Sequence, residues 1–275
     1  MPELCITLAS AFKKVPHIAV GTLIGSNIAH ISIVVGLAAI IKPFKINKSL
    51  KRSDVFIFFF TSLIPSLLLW NNELTKQKGI MFLLLFVAAF GWIGIQEFFV
   101  IKNTTTIHTE NIYIQPPLIN RRPKFSTLLI SILWLIFGVV TLHISSHFIT
   151  ESAQHISVLL GISNLSVGLL LLGIGTNLPE LAIMIASIYN NERDLALGGI
   201  LGANIVGITL ALGLCGVLSP TKLPAIFSER DLTSMMLATI VFALLLLNTK
   251  KIISRLHGIL LIIFYSIYIT STVIY

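Results

Sequence analysis

The sequence feature that most limits what this chain can fold into is a carboxylate set inside an apolar run long enough to cross a membrane. The run from 163 to 189 carries Gly173, Gly175, Thr176, Asn177, Pro179 and Glu180 in the stretch GIGTNLPELAIMIAS. Proline removes a backbone donor and glycine weakens a helix, so a broken helix with freed carbonyls is predicted here. A carboxylate at membrane depth is tolerated where it faces a cavity, an ion or a partner. The combination predicts a cation site built on the break. Composition agrees with a membrane setting, since 55% of the residues are apolar, 11% are charged and the mean hydropathy is +0.94. A soluble domain carries roughly a quarter charged residues.

The same stretch has an earlier copy at a constant offset. Shifting the chain by 177 residues puts Pro2-Glu3-Leu4 on Pro179-Glu180-Leu181 and Ala9-Ser10 on Ala186-Ser187. It also puts Gly21, Gly25 and Asn27-Ile28 on Gly198, Gly202 and Asn204-Ile205, and gives 15 identities over positions 2 to 43 without a gap. Apolar helices share Leu and Ile by chance, but not this set of Pro, Glu, Asn and Gly. Internal duplication of this kind marks secondary transporters whose site lies between the repeats.

The paired stretches PEL…GTLIGSNIAH and GTNLPEL…GGILGANIVG resemble the two alpha repeats of the sodium/calcium exchanger superfamily, which are patterned GTSxPE and GSNxxN or GSNxxD. The resemblance implies an all-α integral membrane protein with an inverted-repeat antiporter fold, exchanging Ca²⁺ for Na⁺ by alternating access. It implies no catalytic residue and no cofactor beyond the transported Ca²⁺ and Na⁺. Carried over residue by residue, Glu3 and Glu180 would be the central metal ligands, Thr176 and Asn177 oxygen donors beside the second, and Ser26 a donor from the first repeat. Asn27, His30, Gly173 and Asn204 would support them. This sequence departs from the pattern at four places. Asn177 and Ala203 stand where the family has Ser, His30 where it has Asn, and Gly207 where it has Asn or Asp. Ala203 and Gly207 remove oxygen ligands, and a neutral imidazole suits softer metals better than Ca²⁺. Weakened Ca²⁺ affinity, or a degenerate homologue that no longer transports, is the expectation these departures raise.

Apolar runs at about 18–41, 54–70, 79–99, 125–148, 163–189, 196–218, 231–248 and 255–275 predict eight full transmembrane helices. The opening MPELCITLASAFKK lacks a basic region ahead of its apolar part and is too short to span about 30 Å of hydrocarbon. It is read as an N-terminal half-helix, the family's first helix and the front half of the second being absent. The expected organisation is a first repeat half over 1–99, a cytoplasmic linker over 100–124 and a second half over 125–275. Among the 11 acidic residues, Glu3 and Glu180 alone are placed well inside predicted helices, with Glu97 near an end. Two carboxylates carry enough charge to match one Ca²⁺.

Other features receive plainer readings. The net charge of +8 comes from Lys and Arg in short connections between apolar runs, a topology pattern that gives no reason to expect a nucleic-acid partner. Lipid is the expected surround, in the cytoplasmic membrane of a bacterium. Cys5 and Cys215 lie in apolar helices and read as small hydrophobes. Phe56, Phe58, Phe59, Phe60, Trp70, Trp92 and Trp134 read as lipid-facing or interfacial. His143 and His147, one helical turn apart with His155 further on, fit interfacial histidines; a histidine-metal membrane enzyme is the reading from another class.

Connections 42–53, 100–124, 190–195 and 249–256 together hold 13 Lys and Arg, against 6 in the alternate set 13–17, 71–78, 149–162 and 219–230. The first set should be cytoplasmic, which inverts one repeat relative to the other. A cysteine introduced in 42–53 is expected to be shielded from impermeant thiol reagents in intact cells, and one in 71–78 to be labelled. The opposite labelling pattern would reverse the orientation.

Overall fold

The computed structural model describes residues 2–46, 51–107, 125–190, 192–248 and 252–274. Lipid offers no partner for backbone polar groups, so apolar runs of this length fold as helices that satisfy their own hydrogen bonds. They are α1 (Pro2–Phe12), α2 (Pro16–Ile41), α3 (Arg52–Leu68), α4 (Lys76–Ile107), α5 (Phe125–Leu160), α6 (Asn164–Tyr189), α7 (Arg193–Leu218), α8 (Phe227–Leu247) and α9 (Arg255–Ile274). Seven of the described helices are long and apolar enough to cross a membrane. The run expected at 54–70 forms α3, whose 17 residues rise roughly 25 Å, and α1 is an apolar helix of 11 residues.

Two-residue strands tie the connections together. Phe44–Lys45 (β1) pairs antiparallel with Ile252–Ile253 (β4), and Glu73–Leu74 (β2) with Thr221–Lys222 (β3). A ring nitrogen of His17 lies 2.9 Å from the carbonyl of Lys222, Lys13 bonds Glu151 at 3.4 Å, and Lys42 sits 5.2 Å from the ring centre of Tyr189. Each contact joins connections from the same set of the Lys/Arg count or their helix ends. Lys222 beside exposed Glu73 holds that carboxyl below the usual carboxylate range.

The offset of 177 recurs in the structure. The strand Phe44–Lys45 maps onto Thr221–Lys222, and the π-helical segment His30–Val34 falls within the π-helical Val206–Ala211. The equivalent helices α2 and α7 form the centre, with 78% and 67% of their apolar windows buried. By contrast α5, at 6%, lies on the periphery. Between apolar helices in lipid there is no hydrophobic drive to associate, and small residues allow the backbone approach that provides the contact instead. A Cβ on Gly79 of α4 would come 2.7 Å from the carbonyl of Gly213 in α7, and one on Gly36 of α2 would come 3.2 Å from that of Gly258 in α9.

Several expectations need correcting. Helix α5 runs on to Leu160 where a polar connection was expected over 149–162. Its hydroxyls fold back onto the helix, Thr150 donating to Ser146 O at 2.8 Å and Ser157 to Gln154 O at 3.0 Å, and nothing breaks it before Gly161 at φ 66°. The same stretch docks α1 through Lys13, which bonds the His147 carbonyl at 3.2 Å as well as Glu151. Helix α4 likewise continues to Ile107; linker residues 108–124 and the side chain of Glu97 lie outside the described residues. Phe58, read as lipid-facing, is fully buried and packs edge-on against Phe242 with ring centres 5.9 Å apart. Phe56, Phe60, Trp70, Trp92 and Trp134 are exposed.

The glycine contacts make a direct test possible. Gly79→Ala is expected to cost about 1–3 kcal/mol, as overpacking of a close contact does. A Cβ on Gly94 meets nothing within 4 Å, so Gly94→Ala should leave the melting temperature in detergent unchanged or raise it. Equal melting temperatures for the two variants would remove the packing role of Gly79.

Candidate cation site

Helix α6 breaks at Thr176-Asn177, as the run of Gly, Thr, Asn and Pro predicts. The Asn177 N–H turns back to Ile174 O at 3.1 Å, and a new helical segment, Leu178–Tyr189, begins with Pro179 in its first turn. Pro179 has no N–H to offer the preceding turn. Glu180 therefore sits in the first turn of a helix segment that starts inside the protein. Glu3 has the matching place in the first turn of α1. The positive end of the helix segment after the break favours a carboxylate at Glu180.

The two glutamates and His30 of α2 meet. One ring nitrogen of His30 and a carboxylate oxygen of each glutamate all lie within 4.8 Å of one another. Glu3 and His30 are buried and Glu180 is half-buried. Glu180 Oε2 and His30 Nε2 are enclosed and accept no hydrogen bond. His30 Nδ1 lies 2.6 Å from the side-chain oxygen of Asn204, the residue on which Asn27 falls under the 177 offset. A cavity of about 320 Å³ opens beside the carboxylates, lined by Glu3 and Glu180 together with Ala203 and Gly207 of α7.

Ser26, Thr176 and Asn177 form a second group that locks α2 to the break. Thr176 donates its hydroxyl proton to Leu172 O at 2.9 Å, so Ser26 Oγ donates to Thr176 Oγ1 at 3.0 Å. Asn177 donates to Ser26 O at 3.0 Å, and its Oδ1 is buried without a hydrogen bond. The remaining expected residues take structural positions. Asn27 donates to Leu23 O at 2.9 Å within its own helix, and a Cβ on Gly173 would come 2.9 Å from the Gly25 backbone. His143, His147 and His155 are exposed on α5 and join no cluster of three ligating groups among the described residues.

Sequence reasoning missed Asp231. It was taken to lie at the edge of a helix, but α8 begins at Phe227, and the carboxylate is fully buried inside it. Arg230 pairs with it at 2.9 and 3.1 Å, and Tyr268 donates to it at 3.2 Å, so the charge is compensated within the fold. The signal was present, since the 177 offset puts Asp54 on Asp231.

A broken helix with a glutamate in the first turn after the break fits the resemblance to the exchanger repeats, and comparison with known proteins decides the family. The sodium/calcium exchanger protein family matches residues 1–94 and 130–273. The chain belongs to this family. It is 30% identical to the inner membrane protein YrbG of Escherichia coli over 95% of this chain and 78% of that one. It is 26% identical to the sodium/calcium exchanger MaX1 of Methanosarcina acetivorans over 96% and 83% of the two chains. Its fold matches the solved sodium-calcium exchanger NCX_Mj with a TM-score of 0.67 at 24% identity, over 98% of this chain and 82% of that one. The chain is thus an integral multi-pass membrane protein of a cation antiporter family.

The hydroxyl pair between α2 and α6 should be measurable. In a double-mutant cycle of Ser26→Ala and Thr176→Val, a coupling energy of about 1 kcal/mol is expected from thermal denaturation in detergent. Additive effects would mean that the pair does not hold the break in place.

Proposed function

We propose that this protein exchanges a divalent cation, Ca²⁺ by the family's example, for Na⁺ across the membrane by alternating access. The observation that carries the reading is the convergence of Glu3, His30 and Glu180 from both repeats, with a cavity lined by the two glutamates. Glu3 and Glu180 are the central ligands, with Ser26, Thr176 and Asn177 supplying or positioning oxygen donors. In this reading the repeats are inverted, α3 crosses with the seven longer helices, and the Lys/Arg-rich connections face the cytoplasm. The fit to an inner membrane comes from YrbG, whose name places it there.

Electrostatics explains why such a site would exchange ions in place of leaking them. Two carboxylates without a cation are costly to carry through a medium of low dielectric constant. Loading the site with one divalent ion or with Na⁺ removes that penalty. The transition between outward and inward openings is then fast only when the site is filled, so efflux of one ion requires entry of the other.

In proteoliposomes, an outward Na⁺ gradient is expected to drive ⁴⁵Ca²⁺ uptake, and Glu180→Gln to abolish it. Gly207→Asp should raise apparent Ca²⁺ affinity several-fold. Gly207 lines the cavity, and a Cβ there would meet only Asn27 at 3.4 Å and Leu23 at 3.7 Å, so an oxygen can be added without displacing backbone. Absence of any cation flux from a folded, reconstituted protein would instead establish a non-transporting member of the family.

A further inference from the structure

We propose that the site at Glu3, Glu180 and His30 prefers a zinc-class divalent transition-metal ion to Ca²⁺, with His30 as the nitrogen ligand that sets the preference. The inference rests on the reading of this site as the cation site and specifies the ion it selects. His30 is 2% exposed, and one of its ring nitrogens lies within 4.8 Å of an oxygen from each glutamate. The oxygen of Asn204, 2.6 Å from Nδ1, can only accept, so Nδ1 carries the proton and Nε2 carries the lone pair. That lone pair is buried and accepts no hydrogen bond.

A histidine serving only to join α2 to α7 would need Nδ1 alone, and enclosing an unsatisfied Nε2 would cost free energy without return. A ligating histidine needs this arrangement. One ring nitrogen is fixed by a neighbouring oxygen, which sets the tautomer and the ring orientation, and the other is presented to the metal. The oxygen supply points the same way. Ca²⁺ takes six to eight oxygen ligands and Na⁺ also prefers oxygen, whereas zinc-class ions are satisfied by about four donors of mixed nitrogen and oxygen type. The cavity that Glu3 and Glu180 line is also lined by Ala203 and Gly207, neither of which has a side-chain oxygen. Two carboxylates and one imidazole already supply three donors of a four-coordinate shell, whereas a Ca²⁺ shell would still need most of its six to eight oxygens from Ser26, Thr176, Asn177, backbone and water.

The exposed pair His143 and His147 could bind zinc independently, so the measurement uses the chain carrying His143→Ala and His147→Ala. Isothermal titration in detergent is expected to show Zn²⁺ bound at least about tenfold more tightly than Ca²⁺. His30→Asn should weaken Zn²⁺ by about 10–100-fold while leaving Ca²⁺ binding equal or stronger. Pulsed EPR of bound Mn²⁺ requires no variant at the site, and an imidazole ¹⁴N coupling is expected. A Ca²⁺ preference, an oxygen-only Mn²⁺ signal, or Zn²⁺ binding that survives His30→Asn but not Glu180→Gln would overturn the inference and leave the antiporter reading standing. Retention of both Zn²⁺ and Ca²⁺ binding in Glu180→Gln would overturn the cation site itself.

Discussion

Two glutamates held where water is scarce impose a requirement that apolar helices alone do not meet. Each carboxylate needs compensating charge or dipoles, and continuous helices have their own dipoles exposed only at their ends. Starting a helix segment within the protein solves this. Glu180 lies in the first turn after the break at Thr176-Asn177. The polar side chains at the break are held in turn, Thr176 by Leu172 O and Ser26 and Asn177 by the Ser26 carbonyl, while the Asn177 N–H closes on Ile174 O. The polar chemistry of the site and the local irregularity of the chain are thus one feature.

Close helix packing carries that feature into three dimensions. Helix α2 passes near enough to α6 for Gly173 to rest on the backbone of Gly25, and this proximity places Ser26 against Thr176. One turn further along α2, His30 lies among the glutamates and reaches Asn204 of α7. The two repeats fill their equivalent positions unequally. Where the first has His30 bonded to Asn204, the second has Gly207, whose absent side chain leaves space near Asn27.

Much of this was legible in the sequence. Uninterrupted apolar runs dictate helices because lipid permits few alternatives, and the 177-residue offset exposes the duplication because Pro, Glu, Asn and Gly do not recur in register by chance. The break in α6 followed from GTNLPE for the same local reasons that the structure displays. Helix ends were read less well. Helix α5 passed through a polar stretch because Ser and Thr there satisfy their own hydroxyls on carbonyls of the preceding turn, so polarity alone did not end it.

The sequence by itself determined the membrane setting, the family, the broken helix and the two glutamates, because each depends on local composition or on a repeated pattern along one chain. Only the tertiary structure decided that His30 is a third member of the glutamate cluster, that Gly173 is a packing residue and that Asp231 is neutralised by Arg230 and Tyr268. These are relations between segments far apart along the chain, as with His30 and Asn204, 174 residues apart. Which nitrogen is presented, and which backbone comes close, is set by helix crossings that no single stretch of sequence encodes.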